Sequence, residues 1–164
     1  MVNENYDFIE QIKYEAIHQY NFTLMPQSWI SYKKHMTLFW EKIPFSKLSI
    51  TSIPTKLGIY AFCLEPGISD NLQIRYLMYI GRAKNLRVRF RQYINEETSD
   101  KGRKEIRKLI SLYKESNHLF FYYAVLDGLG LSLNDVESEL IRSFLPPTNK
   151  QIPVESKKSK QAFS

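Results

Sequence analysis

The chain has very few of the residues from which disulfide frameworks and metal clusters are built. Its 164 residues include one cysteine, Cys63, and three histidines that are far apart in the sequence. A single cysteine excludes an internal disulfide and is typical of a reducing compartment. With so few scattered thiol and imidazole groups, a Cys/His metal site is not expected either.

Long apolar runs are missing as well. No uninterrupted apolar stretch approaches the roughly 18 residues that a membrane-spanning helix needs. The first residues, MVNENYDFIEQ, are acidic and polar, which does not fit a secretory signal. We therefore expect a cytoplasmic protein that makes no use of a membrane.

Positive charge is concentrated in one part of the chain. The formal net charge is +6, and residues 71–115 alone hold 12 Lys/Arg against 5 Asp/Glu. The segments on either side, residues 1–70 and 116–149, are slightly acidic. This distribution is the footprint expected for a polyanionic partner such as nucleic acid, although a solvated helix face with counterions would give the same pattern.

Apolar periodicity divides the chain into an N-terminal helical part and a mixed core. Residues 4–19 and 28–40 show helical spacing of their apolar side chains. We expect residues 1–50 to form an α-helical extension packed on a domain over 51–150, followed by a basic, flexible tail over 151–164. Structural support, target recognition and dimerisation are all open as roles of the extension.

Three segments of the core have the composition of β-strands. Residues 57–64 and 72–80 flank a turn and predict an antiparallel hairpin, and residues 118–126 predict a third strand. Helices are predicted over about 85–95, 101–116 and 132–145.

Two of these strands carry a glycine close to a tyrosine. Gly58-Ile59-Tyr60 lies in the first strand, and Tyr79-Ile80-Gly81 ends the second. Glycine packs poorly within a strand, so it suggests a surface that another backbone or a ligand approaches closely. Ordinary sheet packing of the tyrosines is the alternative.

The helix after the second motif directs one arginine partly inward. Leu86 and Phe90 mark its apolar face, Arg89 falls at the edge of that face, and Arg87 and Arg91 point away. A half-buried guanidinium needs an anionic partner. That partner could be a structural carboxylate or the phosphate of a substrate.

The last predicted helix places a carboxylate among its apolar side chains. Ser132 supplies the N-cap, so capping does not explain Glu137, whereas Glu139 projects roughly opposite. A carboxylate in this position is costly unless a cation pairs with it. A buried ion pair, for instance with Arg89, and coordination of a metal ion are both open.

Taken in order, these elements resemble the GIY-YIG nuclease family over about residues 57–150. After the two glycine-tyrosine motifs, the run GRAKNLRVRFRQY, from Gly81 to Tyr93, and the closing block from Glu137 to Asn149 follow the family pattern. The tyrosine at position 93 is similar to that of the N-terminal nuclease domain of the bacterial excision-repair incision subunit. Homing-type members often have histidine there.

The resemblance implies an α+β fold with a small three-stranded antiparallel sheet flanked by helices. It also implies hydrolysis of DNA phosphodiester bonds with Mg²⁺ or Mn²⁺ as the cofactor. The catalytic residues implied by the matching positions are Tyr60, Tyr79, Arg89, Tyr93 and Glu137. Glu137 is the implied metal ligand, and the expected substrate-binding residues are Arg82, Lys84, Arg87, Arg91 and Asn149. For Asn149 a turn position after proline is an equal alternative.

One acidic residue suits a single metal ion whose coordination is completed by water and phosphate. We expect Glu137 to hold this ion against the leaving oxygen, Arg89 to neutralise transition-state charge, and Tyr60 to orient or deprotonate the attacking water. A tyrosine base needs a pKa well below its usual value of about 10, and Arg89 with the metal would lower it.

Two other functions fit the same residues. One is cleavage of RNA, and the other is a nucleic-acid-binding module that keeps the fold without activity. A homodimer or a partner protein could supply the specificity that so compact a nuclease lacks.

Overall fold

The computed structural model describes residues 18–35, 37–95 and 104–149. Most of the first predicted helix, residues 4–19, and the predicted flexible tail, residues 151–164, lie outside these ranges. None of the helices within the described ranges has the length and apolar character needed to cross a lipid bilayer.

The described residues form four α-helices, one 3₁₀ helix and six strands. The helices are α1 (Pro26–His35), the 3₁₀ helix (Lys47–Ser52), α2 (Leu86–Ile94), α3 (Lys104–Tyr113) and α4 (Leu133–Phe144). The strands are β1 (Glu41–Pro44), β2 (Gly58–Leu64), β3 (Gly67–Ser69), β4 (Leu72–Gln73), β5 (Tyr76–Ala83) and β6 (Leu119–Val125).

The main sheet of the described chain has four strands in the order β1-β6-β2-β5, and every pairing is antiparallel. The α+β class is confirmed, but the prediction of three strands is wrong. The additional strand is β1, which pairs with β6 and comes from the segment expected to be an α-helical extension. It is four residues long and ends in Pro44, which an edge strand tolerates because its outer side needs no ladder hydrogen bond.

Two other element boundaries differ from the predictions. Helix α1 starts at Pro26, a residue suited to the first helical turn, and ends at His35 rather than Trp40. The predicted strand over 72–80 is divided, because β4 pairs with β3 in a separate two-stranded sheet while β5 pairs with β2.

The sheet is buried on both faces, since all seven residues of β2 are buried. Side chains alternate between the faces of a strand. Tyr60 and Phe62 pack in one core with Phe90 of α2 and with residues of α3. Ile59 and Ala61 pack in a second core with Leu140 and other residues of α4. Helices α2 and α4 therefore cover opposite faces.

One carboxylate ties three strands together at one end of the sheet. Glu65 accepts hydrogen bonds from Lys42 of β1, from Tyr122 of β6 and from Arg75 at 2.8 Å. Burial alone would raise the pKa of Glu65, but these three donors outweigh it and hold the pKa below its usual value. We refer to these four residues as the Glu65 cluster.

Candidate active site

The glycines of the two motifs are required by close packing against neighbouring strands. Gly81 lies opposite Tyr60 in the β2–β5 register. A Cβ atom at Gly81 would lie 2.5 Å from Cζ and Oη of Tyr60 and 2.8 Å from Cε1 of Tyr79. At Gly58, a Cβ atom would overlap the carbonyl oxygen of Ala124 in β6. Each motif therefore contains a glycine because another group occupies the space of its side chain.

The three tyrosines predicted to be catalytic lie together. The hydroxyls of Tyr60 and Tyr93 are hydrogen-bonded at 2.9 Å, and the ring centroids of Tyr60 and Tyr79 are 6.2 Å apart. Tyr60 is also stacked on Phe121, with centroids 5.3 Å apart and ring planes 19° from parallel. Tyr60 and Tyr93 are fully buried, whereas Tyr79 keeps part of its surface in solvent.

The environment of Tyr60 does not prepare it to act as a base. Its burial raises the pKa of the phenol well above 10, and the nearby phenols of Tyr93 and Tyr79 raise it further. Arg89 lowers the pKa, as predicted, but burial and the two phenols outweigh it. The prediction that Arg89 gives Tyr60 a low pKa is therefore wrong, and the further lowering expected from a metal ion stays a prediction.

Arg89 has a buried side-chain nitrogen that lacks a hydrogen-bond partner within the described ranges. Helix α2 begins at the N-cap Asn85, whose side chain accepts a hydrogen bond from the backbone amide of Val88 at 3.1 Å. This start directs Arg89 toward the core edge, where its Nε is buried and has no hydrogen-bond partner among the described residues. A buried donor without a partner costs about 1–3 kcal/mol, and more when it is charged. An anionic oxygen would remove this cost.

Glu137 is paired with a different arginine from the one suggested by the sequence. Its Oε2 lies 2.5 Å from Nε of Arg82 on β5. Arg89 and Glu137 do not form the alternative ion pair. The two side chains of the observed pair are partly accessible, 45% for Arg82 and 21% for Glu137. The predicted metal ligand and a predicted phosphate contact therefore neutralise each other in the ligand-free protein.

The side chain of Asn149 is hydrogen-bonded to the backbone of the second motif. Its amide donates to the carbonyl oxygen of Ile80 at 2.8 Å and accepts from the amide of Ile80 at 2.9 Å. The adjacent Thr148, which the sequence did not single out, donates from its backbone and its hydroxyl to the carbonyl oxygen of Met78. These bonds pair the outer edge of β5, so they support a structural role for Asn149 rather than the expected substrate contact.

The other expected substrate-binding residues differ in accessibility. Arg87 does not point into solvent as predicted, because its guanidinium donates to the carbonyl oxygens of Ile53 at 2.6 Å and Thr51 at 3.1 Å. It joins α2 to the loop around the 3₁₀ helix. Lys84 and Arg91 are exposed, as expected for residues that contact a nucleic-acid backbone.

The donor set at Glu137 fits a metal ion held largely by water and substrate. Within the described ranges, no group of three or more His, Cys, Asp and Glu residues could hold a metal ion. A carboxylate oxygen is nevertheless the ligand type that Mg²⁺ and Mn²⁺ prefer, and Mg²⁺ commonly binds through one or two carboxylates and substrate phosphates. Glu137 is one carboxylate of this kind, and its Oε2 is held by Arg82.

Comparison of the chain with protein-family models, with curated proteins and with solved structures gives no match. The resemblance to the GIY-YIG family therefore depends on the motif residues themselves.

Proposed function

We propose that the protein is a GIY-YIG-type endonuclease that hydrolyses DNA phosphodiester bonds with Mg²⁺ or Mn²⁺. The observation that supports this most strongly is the buried Nε of Arg89, which has no partner in the described residues and lies near the tyrosine cluster of Tyr60, Tyr79 and Tyr93. A buried donor without a partner on a charged side chain is costly, and packing alone gives no reason for it. A phosphoryl group would supply the missing acceptor.

In this proposal Arg89 neutralises the charge that develops on the phosphoryl oxygens during attack. Its position is fixed in advance by α2, so little reorganisation is needed when that charge appears. Removing one preorganised donor of this kind typically lowers kcat by about a hundredfold or more.

The tyrosine cluster acts mainly by orientation. Tyr60 stays protonated at neutral pH, since an unperturbed phenol has a pKa of about 10 and burial raises the pKa of Tyr60 further. Its bond to Tyr93 fixes the direction of the hydroxyl. Tyr79 is the partly accessible member, so it is the one of the three best placed to contact water or a phosphate. Of the two roles considered from the sequence, orientation of the water is favoured over its deprotonation by Tyr60.

Glu137 completes the site from the other face of the sheet. It would hold the divalent cation, which when bound supplies Lewis-acid stabilisation of the leaving oxygen. Arg82, released from Glu137, would bind a phosphate oxygen. Exposed basic residues of the same half of the chain, including Lys84, Arg91, Lys104 and Arg107, would contact the DNA backbone and make the affinity depend on salt.

A nicking assay on supercoiled plasmid with Mg²⁺ or Mn²⁺ tests this function. We expect cleavage by the wild type, and a loss of about a hundredfold or more in Arg89→Ala and Glu137→Gln. Glu139→Gln is the matched control, because it removes a carboxylate from the same helix. Glu139 faces Tyr32 of α1, whose pKa is raised by burial and then by the Glu139 charge. Cleavage that persists in both site variants, or no cleavage by the wild type, would contradict the proposal.

The same assay on single-stranded, branched and duplex DNA and on RNA identifies the substrate class. Cleavage of RNA alone would replace the DNase proposal with a ribonuclease. Salt-dependent binding without cleavage of any of these substrates would favour a binding module of the same fold.

A further inference from the structure

The contact between Arg82 and Glu137 places a protein cation where the proposed metal ion would sit. Nε of Arg82 lies 2.5 Å from Oε2 of Glu137, which is direct hydrogen-bond contact between opposite charges. A divalent cation on that oxygen would be brought close to the positive guanidinium. Repulsion between the two cations makes their binding to Glu137 competitive.

We propose that Arg82 is a placeholder for the metal ion, and that it exchanges from Glu137 to a substrate phosphate when the metal ion and DNA bind. This inference rests on the proposed nuclease function and adds the regulation of the same site. Without DNA, Arg82 holds Glu137 and weakens metal binding. With DNA, a phosphate takes the guanidinium and Glu137 becomes free for the metal.

The exposure of the pair makes the exchange possible. Arg82 is 45% exposed and Glu137 is 21% exposed, so both side chains can move without opening either core. Exposed ion pairs contribute little, which corresponds to about a two- to fivefold effect on a binding constant. A contact of this strength restrains Glu137 in the free protein, yet a phosphate and a divalent cation can displace it.

The neighbours of Arg82 hold its main chain in place. Gly81 precedes it and lies against Tyr60 on the face that α2 covers, whereas Arg82 meets Glu137 of α4 on the opposite face. The backbone of Ile80 on the other side of Gly81 is fixed by Asn149. The main chain of this strand is thus held in place, and the side chain of Arg82 is the part that can move.

Thermodynamic linkage gives the proposal a measurable consequence. If DNA draws Arg82 away from Glu137, then DNA must tighten metal binding, and the metal must tighten DNA binding by the same factor. Both couplings pass through the Arg82 guanidinium, so both should decrease when it is replaced by a neutral side chain.

The test measures binding of Mn²⁺ alone to the full chain without DNA, using electron paramagnetic resonance of the free ion. Wild type, Arg82→Gln, Lys84→Gln and Glu137→Gln are compared at one ionic strength. We expect Arg82→Gln to bind Mn²⁺ about two- to fivefold more tightly than the wild type. Lys84→Gln removes the same charge two residues away and is expected to change the affinity less than Arg82→Gln. Glu137→Gln defines binding that does not involve the site.

The possible outcomes separate this inference from the proposed function. If Lys84→Gln tightens binding as much as Arg82→Gln, the effect is one of net charge and the placeholder idea is wrong. If binding depends on Glu137 but is unchanged in Arg82→Gln, the placeholder is wrong while the metal-ligand role stands. If Glu137→Gln binds Mn²⁺ as tightly as the wild type, the placeholder and the metal-ligand assignment are both wrong.

A second measurement follows the coupling itself. The affinity of a labelled duplex is measured with and without Ca²⁺, and the ratio gives the coupling between cation and DNA. We expect the ratio in Arg82→Gln to be closer to one than in the wild type, and an unchanged ratio would contradict the exchange. Arg82→Met also removes the charge while keeping a long side chain, and it replaces Arg82→Gln if that variant does not fold.

Discussion

Replacing Gly81 with alanine tests the packing on which the tyrosine cluster depends. The new Cβ would lie 2.5 Å from Cζ and Oη of Tyr60, whereas carbon atoms in optimal contact are about 3.5–4.0 Å apart. Tyr60 cannot simply rotate away, because its ring is stacked on Phe121 and its hydroxyl is bonded to Tyr93. Either the ring or strand β5 has to move by about 1 Å.

The expected cost follows from these contacts. Overpacking of a core typically costs about 1–3 kcal/mol, and loss of the hydrogen bond to Tyr93 adds about 0.5–1.5 kcal/mol. Alanine returns about 0.4–1 kcal/mol because it restricts the unfolded chain. Together these terms give about 0.5–4 kcal/mol. We therefore expect Gly81→Ala to lower the free energy of unfolding by about 2 kcal/mol, the middle of this range, which for a chain of this size is about 4–8 °C in Tm.

Urea denaturation and calorimetry of Gly81→Ala measure this loss, and Gly67→Ala is the matched control. A Cβ atom at Gly67 meets no described atom within 4 Å, and the residue is exposed. We expect that control to stay within about 0.5 kcal/mol of the wild type. If the two alanine variants are equally stable, the Tyr60 ring does not fill the space beside Gly81, and close packing is not the reason for glycine at position 81.

Three further predictions concern Glu65, Asn149 and Cys63. Glu65→Gln should lower the free energy of unfolding by about 1–3 kcal/mol at neutral pH. Because the folded-state pKa of Glu65 is lowered, its stabilising effect is present above the unfolded pKa of about 4.3 and is lost as the pH falls through the folded pKa. Equal stability of wild type and variant at neutral pH would refute this prediction. Asn149→Asp should cost about 1–3 kcal/mol in urea denaturation, since its carboxylate would face the carbonyl oxygen of Ile80, and unchanged stability would show that the amide is dispensable. Burial raises the pKa of the Cys63 thiol to about 12, so a thiol reagent should modify the native protein at least about a hundredfold more slowly than the unfolded chain, and equal rates would mean that Cys63 is accessible.

The helical faces and the glycine motifs were predictable because they depend on local geometry. The spacing of Leu86 and Phe90 fixes the buried face of α2, and the same rule placed Arg89 at its edge. A glycine within a strand likewise signals a close approach, and the structure identifies the approaching groups as the Tyr60 ring and the Ala124 carbonyl. In these cases the residue and the groups that it packs against belong to one helix or to one pair of strands.

The fourth strand and the partners of the polar side chains were not predictable in this way. Residues 41–44 read Glu-Lys-Ile-Pro, a sequence without strand periodicity that becomes β1 only because β6 offers a free edge. The pairing of Asn149 with Ile80 joins residues 69 positions apart, and the order of strands decides it. Long-range pairing of this kind is set by topology, which local propensity does not contain.

The proposed site requires Arg89 and Glu137 to act together although their helices cover opposite faces of the sheet. Strand β5 is at the end of the described sheet, so a group lying along it can be reached from both faces. Successive residues of this strand face opposite sides of the sheet, since Gly81 lies against Tyr60 and Arg82 contacts Glu137. The backbone groups on its outer edge at Met78 and Ile80 are already paired with Thr148 and Asn149. In the proposed function a substrate binds through side chains around this edge, and on that proposal a mutation that frees the edge should disturb both halves of the site together.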